Sequence, residues 1–222
     1  MKKYMKHANR GLLLTAVVLV IMIIYITVDY IQFATQKSAI QDVANQYIEA
    51  VFETNLESKD PETAKDNYEG IINQYFTENG NTTYYLSKSS LLSDMEAMIQ
   101  AESPVAVTEA ECQIKSISVK KSGTGSSNVH IEYSGTFVGR GDSIVLSPGG
   151  IGVMSDYDEM FGGMYNEGVA AEDTEKKDYT KKYSFSYQGE ANMSLKKENG
   201  TWKIASLETN YYNSTFEEAS GQ

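Results

Sequence analysis

The chain has 222 residues, and 30 acidic against 19 basic residues give it a formal net charge of −11. All the acidic residues follow residue 28, whereas four of the basic ones precede residue 11, so the later part is strongly acidic. That charge opposes binding to nucleic acid and to anionic lipid headgroups. The single cysteine, Cys112, excludes an intramolecular disulfide and a cysteine-based metal cluster.

A basic segment followed by an apolar run opens the chain. Lys2, Lys3, Lys6 and Arg10 precede an uncharged stretch from Gly11 to Val28. About eighteen helical residues at ~1.5 Å each span ~27 Å, close to the ~30 Å hydrocarbon core of a bilayer. The run is longer than the apolar region of a signal peptide, and no small-residue cleavage site follows it. An uncleaved signal-anchor is therefore favoured over a cleaved signal peptide.

The charges around this run predict its orientation, because lysine and arginine stay on the cytoplasmic side. We expect a cytoplasmic tail over residues 1–10, a transmembrane anchor over 11–33 and an extracytoplasmic domain over 34–216. A disordered tail is expected over 217–222. An exported domain without disulfides favours a bacterial envelope, so the predicted location is the cell membrane, single-pass.

Three helices are predicted after the span. Apolar residues at helical spacing indicate the first over Thr35–Leu56, and neither proline nor glycine separates it from the span. Asp60-Pro61 has the composition of an N-cap and first helical position, and it begins the second helix. A short strand is expected over 82–86, and Ser89 or Ser90 caps the third helix.

The second half of the chain is strand-like. Alternation of apolar and polar residues predicts strands over 105–121, 129–137 and 183–195, and a last strand that runs from Trp202 to about Tyr212. The side-chain parity changes between Ile114 and Ile117, which indicates a β-bulge near Lys115-Ser116. Asn199-Gly200 is a strong hairpin turn.

An irregular insertion over residues 139–180 combines glycines with apolar side chains. Long loops with their own hydrophobic residues are often functional, and methionine suits adaptable contacts. Two interpretations remain open: a loop that docks a partner, or a segment that closes the core. The candidate partner-binding residues are Ile151, Met154, Met160, Phe161 and Met164.

The element order and the final hairpin, Asn199-Gly200-Thr201-Trp202-Lys203-Ile204, resemble the nuclear transport factor 2-like superfamily, also called the cystatin-like cone. The resemblance implies an α+β fold in which three helices pack on a curved antiparallel sheet around a conical pocket. Tyr183, Phe185, Tyr187 and Trp202 are the candidate ligand-binding residues of that pocket. The anchored plan is also similar, more weakly, to the bitopic scaffold subunit of type IV secretion systems.

The candidate chemistry is sparse. No carboxylate occupies the inward positions of the long strand, and His130 falls on a polar face, so the chain is predicted not to be an enzyme. No cofactor or metal is expected, because Asp156, Asp158 and Glu159 do not match a calcium-loop pattern. The leading hypothesis is an envelope module that binds or scaffolds another envelope protein, as in a secretion or transport assembly. The alternatives are a binder of small apolar ligands and a pocket enzyme of isomerase or dehydratase type; the oligomeric state stays open.

Overall fold

The computed structural model describes residues 10–78, 86–99, 104–155 and 178–219. Within them the chain forms three helices and six strands, with the helices preceding the strands. This order is the predicted α+β arrangement, with one difference in the number of helices.

The chain divides into two units, Met1–Ser38 and Ala39–Gln222. One helix, α1 (Arg10–Glu57), runs through the whole described part of the first unit and into the second. The predicted anchor and first domain helix are thus one element, because residues 12–57 contain no proline or glycine to interrupt it. Large apolar side chains between Leu12 and Ile31 are exposed.

Among the described residues, α1 is the one helix long and apolar enough to cross a membrane. Its apolar end is compatible with a single-pass membrane anchor. Two threonines in this part bond to the preceding turn, Thr15 Oγ1 to the Gly11 carbonyl (2.9 Å) and Thr27 Oγ1 to the Ile23 carbonyl (2.8 Å). Their hydroxyls are therefore satisfied within the helix itself, as an apolar surrounding requires.

Helix α2 (Pro61–Tyr75) begins where the sequence predicts. The Thr63 N–H donates to Asp60 Oδ1 (2.8 Å), and Pro61 occupies the first turn. Such a cap satisfies an N–H that the helix cannot pair internally. The buried face of α2 includes Tyr68 and Ile72.

Helix α3 (Lys88–Ile99) begins two to three residues earlier than a cap at Ser89 or Ser90 predicts. The cap is Ser87, whose carbonyl accepts from the Leu91 N–H (3.0 Å) and whose own N–H donates to Ser90 Oγ (2.8 Å). Ser90, one of the two predicted caps, therefore lies in the first turn of the helix and accepts a hydrogen bond from the N–H of the observed cap, Ser87.

Four long strands form an antiparallel sheet in the order β1-β2-β5-β6, and two short strands form a separate hairpin. The strands are β1 (Val107–Gly123), β2 (Ser126–Arg140), β3 (Ile144–Ser147), β4 (Gly150–Val153), β5 (Lys182–Glu198) and β6 (Thr201–Glu218). The β1–β2 and β5–β6 turns lie at one end of the sheet, here called the hairpin end, because Ser126 pairs with Lys196.

The predicted bulge and hairpin turn are confirmed. The β1–β2 register shifts between Ile114 and Ser116. Asn199 and Gly200 both adopt positive φ (50° and 88°), as a tight type I′ turn requires. Strand β6 continues past the predicted end at Tyr212 because a second irregularity, with Asn213 at φ 51°, interrupts the alternation without ending the pairing.

The expected short strand over 82–86 is represented by its last residue. Leu86 pairs antiparallel with Leu207, and the Leu86 N–H donates to the Leu207 carbonyl (2.7 Å). Residues 82–85 lie outside the described part of the chain.

Aromatic side chains fill the inner face of the sheet. Phe52 of α1 stacks on Phe137 (5.1 Å between ring centroids) and meets Tyr133 edge-on. Gly135 makes room for this packing, since a Cβ there would lie 2.6 Å from Phe52 and 2.8 Å from Tyr187. The conical pocket that the resemblance implied is not confirmed.

Candidate binding surface

Three of the four predicted ligand-binding residues lie together on the inner face of β5. Phe185 stacks on Tyr187 (5.3 Å), and Tyr183 stacks on Phe216 of β6 (4.7 Å). Trp202 lies at the hairpin end, the opposite end of the strand pair. All four side chains are buried, with at most 7% of their surface exposed. The structure therefore does not bring them into one group, and a ligand-binding role for them stays a prediction.

Two tyrosine hydroxyls that the sequence pattern did not single out, one buried and one half-buried, contact the β3–β4 turn. Tyr47 Oη donates to the Pro148 carbonyl (2.6 Å), and the Gly149 N–H donates to Tyr211 Oη (3.1 Å). Burial is the main cause that raises the pKa of Tyr47 and of Tyr133 well above the ordinary value. These phenols remain protonated donors at neutral pH.

The predicted partner-binding loop begins inside the core. Met154 is fully buried, and its N–H donates to the Ser143 carbonyl (2.9 Å). Ile151 is half-buried opposite Leu146. The core interpretation therefore fits Met154. The remaining candidates, Met160, Phe161 and Met164, lie outside the described residues.

The outer face of the four-stranded sheet carries six rows of outward-facing side chains. Each row takes one residue from each strand, in the order β1, β2, β5, β6. From the hairpin end they are Lys120–Asn128–Ser194–Ser206, Ser118–His130–Asn192–Glu208, Ser116–Glu132–Glu190–Asn210, Gln113–Ser134–Gln188–Tyr212, Glu111–Thr136–Ser186–Thr215 and Glu109–Val138–Ser184–Glu217. We call this surface the outer sheet face.

Every residue of these rows is half-buried or exposed, so the described part of the chain leaves the outer sheet face uncovered. Six of its side chains are glutamates and one, Lys120, is a lysine. Basic residues lie toward its two ends: Lys120 is in the first row at the hairpin end, and at the far end Lys182 Nζ approaches Glu109 Oε1 (3.8 Å). The middle of the face is therefore acidic.

A polar network occupies this middle. Ser116 Oγ donates to Glu132 Oε2 (3.0 Å), and His130 Nε2 lies 3.8 Å from Glu132 Oε1. His130 Nδ1 lies 2.8 Å from Asn192 Oδ1, which as a carbonyl oxygen accepts the bond. His130 thus lies on the polar face, as its strand alternation predicts.

Two carboxylates face each other across the central strands. Glu132 and Glu190 are direct cross-strand partners, and like charges in that position destabilise a sheet. Tyr212 lies in the next row of the same face, where burial, and then the carboxylates of Glu190 and Glu132, raise its pKa above the ordinary value. The pairing concentrates negative charge at the centre of an uncovered surface.

A groove of about 520 Å³ opens at the hairpin end of the outer sheet face. It is formed by the eight residues of the first two rows together with Val129 and Met193, which lie between the rows on the central strands. The side chains of these rows differ in charge from one edge of the sheet to the other. The lining residues are Ser118, Lys120, Asn128, Val129, His130, Asn192, Met193, Ser194, Ser206 and Glu208.

The comparisons bear on the fold. No protein-family model matches the sequence, and no curated protein matches it. A putative scytalone dehydratase from Novosphingobium aromaticivorans is similar at 12% identity and a TM-score of 0.44, over 82% of this chain and 87% of that one. Hexachlorocyclohexane dehydrochlorinase LinA-type3 from Novosphingobium barchaimii is similar at 9% identity and a TM-score of 0.47, over 87% of this chain and 96% of that one. A nuclear transport factor 2-like superfamily protein from Salmonella enterica is similar at 11% identity and a TM-score of 0.44, over 86% of this chain and 96% of that one.

The similar structures include nuclear transport factor 2-like and cystatin-like proteins, the superfamily that the sequence resembles. The structure itself shows the helices and the antiparallel sheet that the resemblance implied. At these identities the similarity assigns neither an activity nor a functional residue to this chain.

The prediction that the chain is not an enzyme is corrected by the same comparisons, since the similar structures include a dehydratase and dehydrochlorinases. The prediction rested on the lack of an inward carboxylate on β5 and on the position of His130 on a polar face. It did not weigh two groupings that the structure shows: the buried phenols of Tyr133 and Tyr187, and the pair of His130 with Glu132 on the outer sheet face.

Proposed function

We propose that this chain is a single-pass membrane protein with a cytoplasmic N-terminus, whose extracytoplasmic domain binds a basic segment of another envelope protein. The outer sheet face is the docking surface. The observation that carries the proposal is the uncovered pair Glu132 and Glu190 at the centre of a polar, otherwise unpartnered sheet.

Charge complementarity supports a basic partner. Two carboxylates held opposite each other repel, and a lysine or arginine placed between them removes that repulsion and gains charge-assisted hydrogen bonds. The acidic balance of the chain after residue 28 adds a long-range attraction for the same kind of partner. Such steering weakens with salt, because the Debye length falls from about 10 Å at 0.1 M to about 3 Å at 1 M.

The orientation rests on the basic residues before the apolar part of α1 and on their absence just after it. With that orientation the domain lies outside the cytoplasm while the anchor holds it near the membrane. A domain held in this way meets other membrane proteins at high effective concentration, so a modest interface is sufficient. This arrangement suits a scaffold.

The test is site-specific photo-crosslinking of the full-length protein in its native membrane. A photo-reactive residue at Asn210, exposed in the central row, is compared with one at Asp66, exposed on α2. We expect a discrete crosslinked product from Asn210, with a basic segment of an envelope protein at the crosslinked site, and none from Asp66. Equal products from both positions, or a product consisting of two copies of this chain, would contradict the proposal.

A further inference from the structure

We infer that the groove at the hairpin end of the outer sheet face binds a short, extended peptide with free amino and carboxyl ends. This site goes beyond the proposed function, since it takes a small ligand on two rows that are separate from the Glu132 and Glu190 pair. The argument depends on the charges at its edges, the unpaired polar groups between them and its length.

The charged groups lie at opposite edges of the groove. Lys120 is on edge strand β1, and Glu208 is on edge strand β6. They are three strand spacings of ~4.8 Å apart across the sheet and one row, or two residues, apart along the strands. These two displacements place their backbones about 16 Å apart. No ion pair joins the two in the described chain, so each charge is available to a ligand.

Neutral hydrogen-bonding groups lie between these charges. In the described residues, the side chains of Ser118, Asn128, Ser194 and Ser206 have neither a hydrogen-bond nor an ion-pair partner. Hydroxyls and amides both donate and accept, which matches the alternating N–H and C=O groups of a peptide backbone. Among the lining residues His130 alone carries a ring, so the groove offers a ligand mainly hydrogen bonds and few stacking contacts.

Length decides the size of the ligand. Extended chain spans about 3.4 Å per residue, so four residues reach about 14 Å from the amino to the carboxyl end. The Lys120 and Glu208 side chains are long and exposed, so they can reach across the remaining distance. The ligand carboxylate then meets Lys120 and the ligand ammonium meets Glu208, with the Asn128 and Asn192 amides alongside the middle.

The experiment measures binding of tetra-alanine with free ends to the full-length protein in nanodiscs by isothermal titration calorimetry. We expect saturable binding, weakened about tenfold by Lys120→Gln and by Glu208→Gln, the effect of losing one charge-assisted bond. Lys59→Gln and Asp66→Asn, both at exposed positions away from the sheet, serve as matched controls and should leave the affinity unchanged.

Blocked peptides identify the ends. N-acetylated tetra-alanine should bind the wild type about tenfold more weakly than the unblocked peptide does. The Glu208→Gln variant should bind the acetylated and the unblocked peptide with the same affinity, because it has already lost the contact that acetylation removes. C-amidated tetra-alanine should likewise bind the wild type about tenfold more weakly than the unblocked peptide, and the Lys120→Gln variant should bind both peptides with the same affinity.

Lack of saturable binding by wild type, or equal binding by all four variants, would overturn the inference. Binding of a neutral oligosaccharide that neither variant at Lys120 or Glu208 changes would also overturn it. Loss of peptide binding with the Asn210 crosslink retained would separate this inference from the proposed function.

Discussion

The side-chain amide of Asn55 on α1 makes two hydrogen bonds to the backbone of Leu146 on β3, as a neighbouring strand would. Asn55 Nδ2 donates to the Leu146 carbonyl (2.9 Å), and the Leu146 N–H donates to Asn55 Oδ1 (2.7 Å). The asparagine is 2% exposed, and its amide also donates to the Val51 carbonyl (2.9 Å). One side chain thus satisfies the free edge of β3 and fixes the β3–β4 hairpin against the end of α1.

Asn55→Ala leaves the N–H and the carbonyl of Leu146 buried without these partners. We expect the free energy of unfolding to fall by about 2–4 kcal/mol, the cost of two buried unsatisfied backbone groups. The matched control is Asn45→Ala on the same helix, because Asn45 Oδ1 is buried without a hydrogen-bond partner in the described residues. Urea denaturation of both variants checks this, and equal losses would contradict the role of Asn55.

Gly189→Ala should destabilise the sheet. A Cβ at Gly189 would overlap the ring of Tyr133, which is fully buried and cannot move aside. Overpacking of this kind typically costs about 1–3 kcal/mol. Gly70→Ala on α2 is the control, since nothing lies within 4 Å of the added methyl and alanine favours a helix by about 1 kcal/mol. Thermal melts should move in opposite directions, and a shift of the same sign in both variants would contradict the packing at Tyr133.

Cys112 should be a slow thiol. Burial, and then the charge of Glu49, raises its pKa to about 12 from 9.0. Since the thiolate is the reactive form, alkylation at pH 8 should be roughly a thousandfold slower than for an ordinary cysteine. Iodoacetamide labelling followed by mass spectrometry measures the rate. Unfolding in urea should restore the normal rate, and fast labelling of the folded protein would show that the thiol is not buried as described.

The same shift predicts that stability falls at alkaline pH. A thiol whose pKa is higher in the folded than in the unfolded state makes its full contribution below pH 9, and loses it as pH rises toward 12. The raised pKa of Tyr47 and of Tyr133 acts in the same direction from about pH 10 upward. Denaturation midpoints measured from pH 8 to pH 11 should therefore decrease, and less steeply in Cys112→Ala.

The orientation of the anchor can be reversed by charge. Replacing Lys2, Lys3, Lys6 and Arg10 with asparagine and inserting lysines after Asp29 should retain the C-terminal domain in the cytoplasm, because positive charge stays inside. Reporter fusions at the C-terminus, active on one side of the membrane only, give the readout. An unchanged orientation would contradict the predicted role of these residues.

Regular patterns made much of the fold predictable. Alternation located the four long strands. Asp60-Pro61 marked the start of helix α2, and Asn199-Gly200 marked the turn between β5 and β6, because each pair has a specific backbone geometry. The β3–β4 hairpin was not predicted, since its strands are buried throughout or rich in glycine and show no alternation. Its free edge is paired by Asn55, which lies 91 residues away in the sequence.

The candidate surface was harder to predict than the fold. The polar parity of Ser184, Ser186 and Gln188 is visible in the sequence, but a surface depends on which residues become neighbours across strands. The bulge at Ile114 and Ser116 moves the register of β1, so the cross-strand rows cannot be derived from spacing alone. The meeting of Glu132 with Glu190 is therefore visible only in the paired sheet.

The most direct test of the account is charge reversal at the centre of the outer sheet face. Glu132→Lys with Glu190→Lys is compared with Asp66→Lys with Glu69→Lys, which makes the same charge change on α2, in full-length protein carrying the photo-reactive residue at Asn210. We predict that the crosslinked product falls by about tenfold or more in the sheet variant, as expected for a desolvated charge pair, and persists in the α2 variant. Equal product in both variants, with both proteins folded, would contradict the assignment of the outer sheet face as the binding surface.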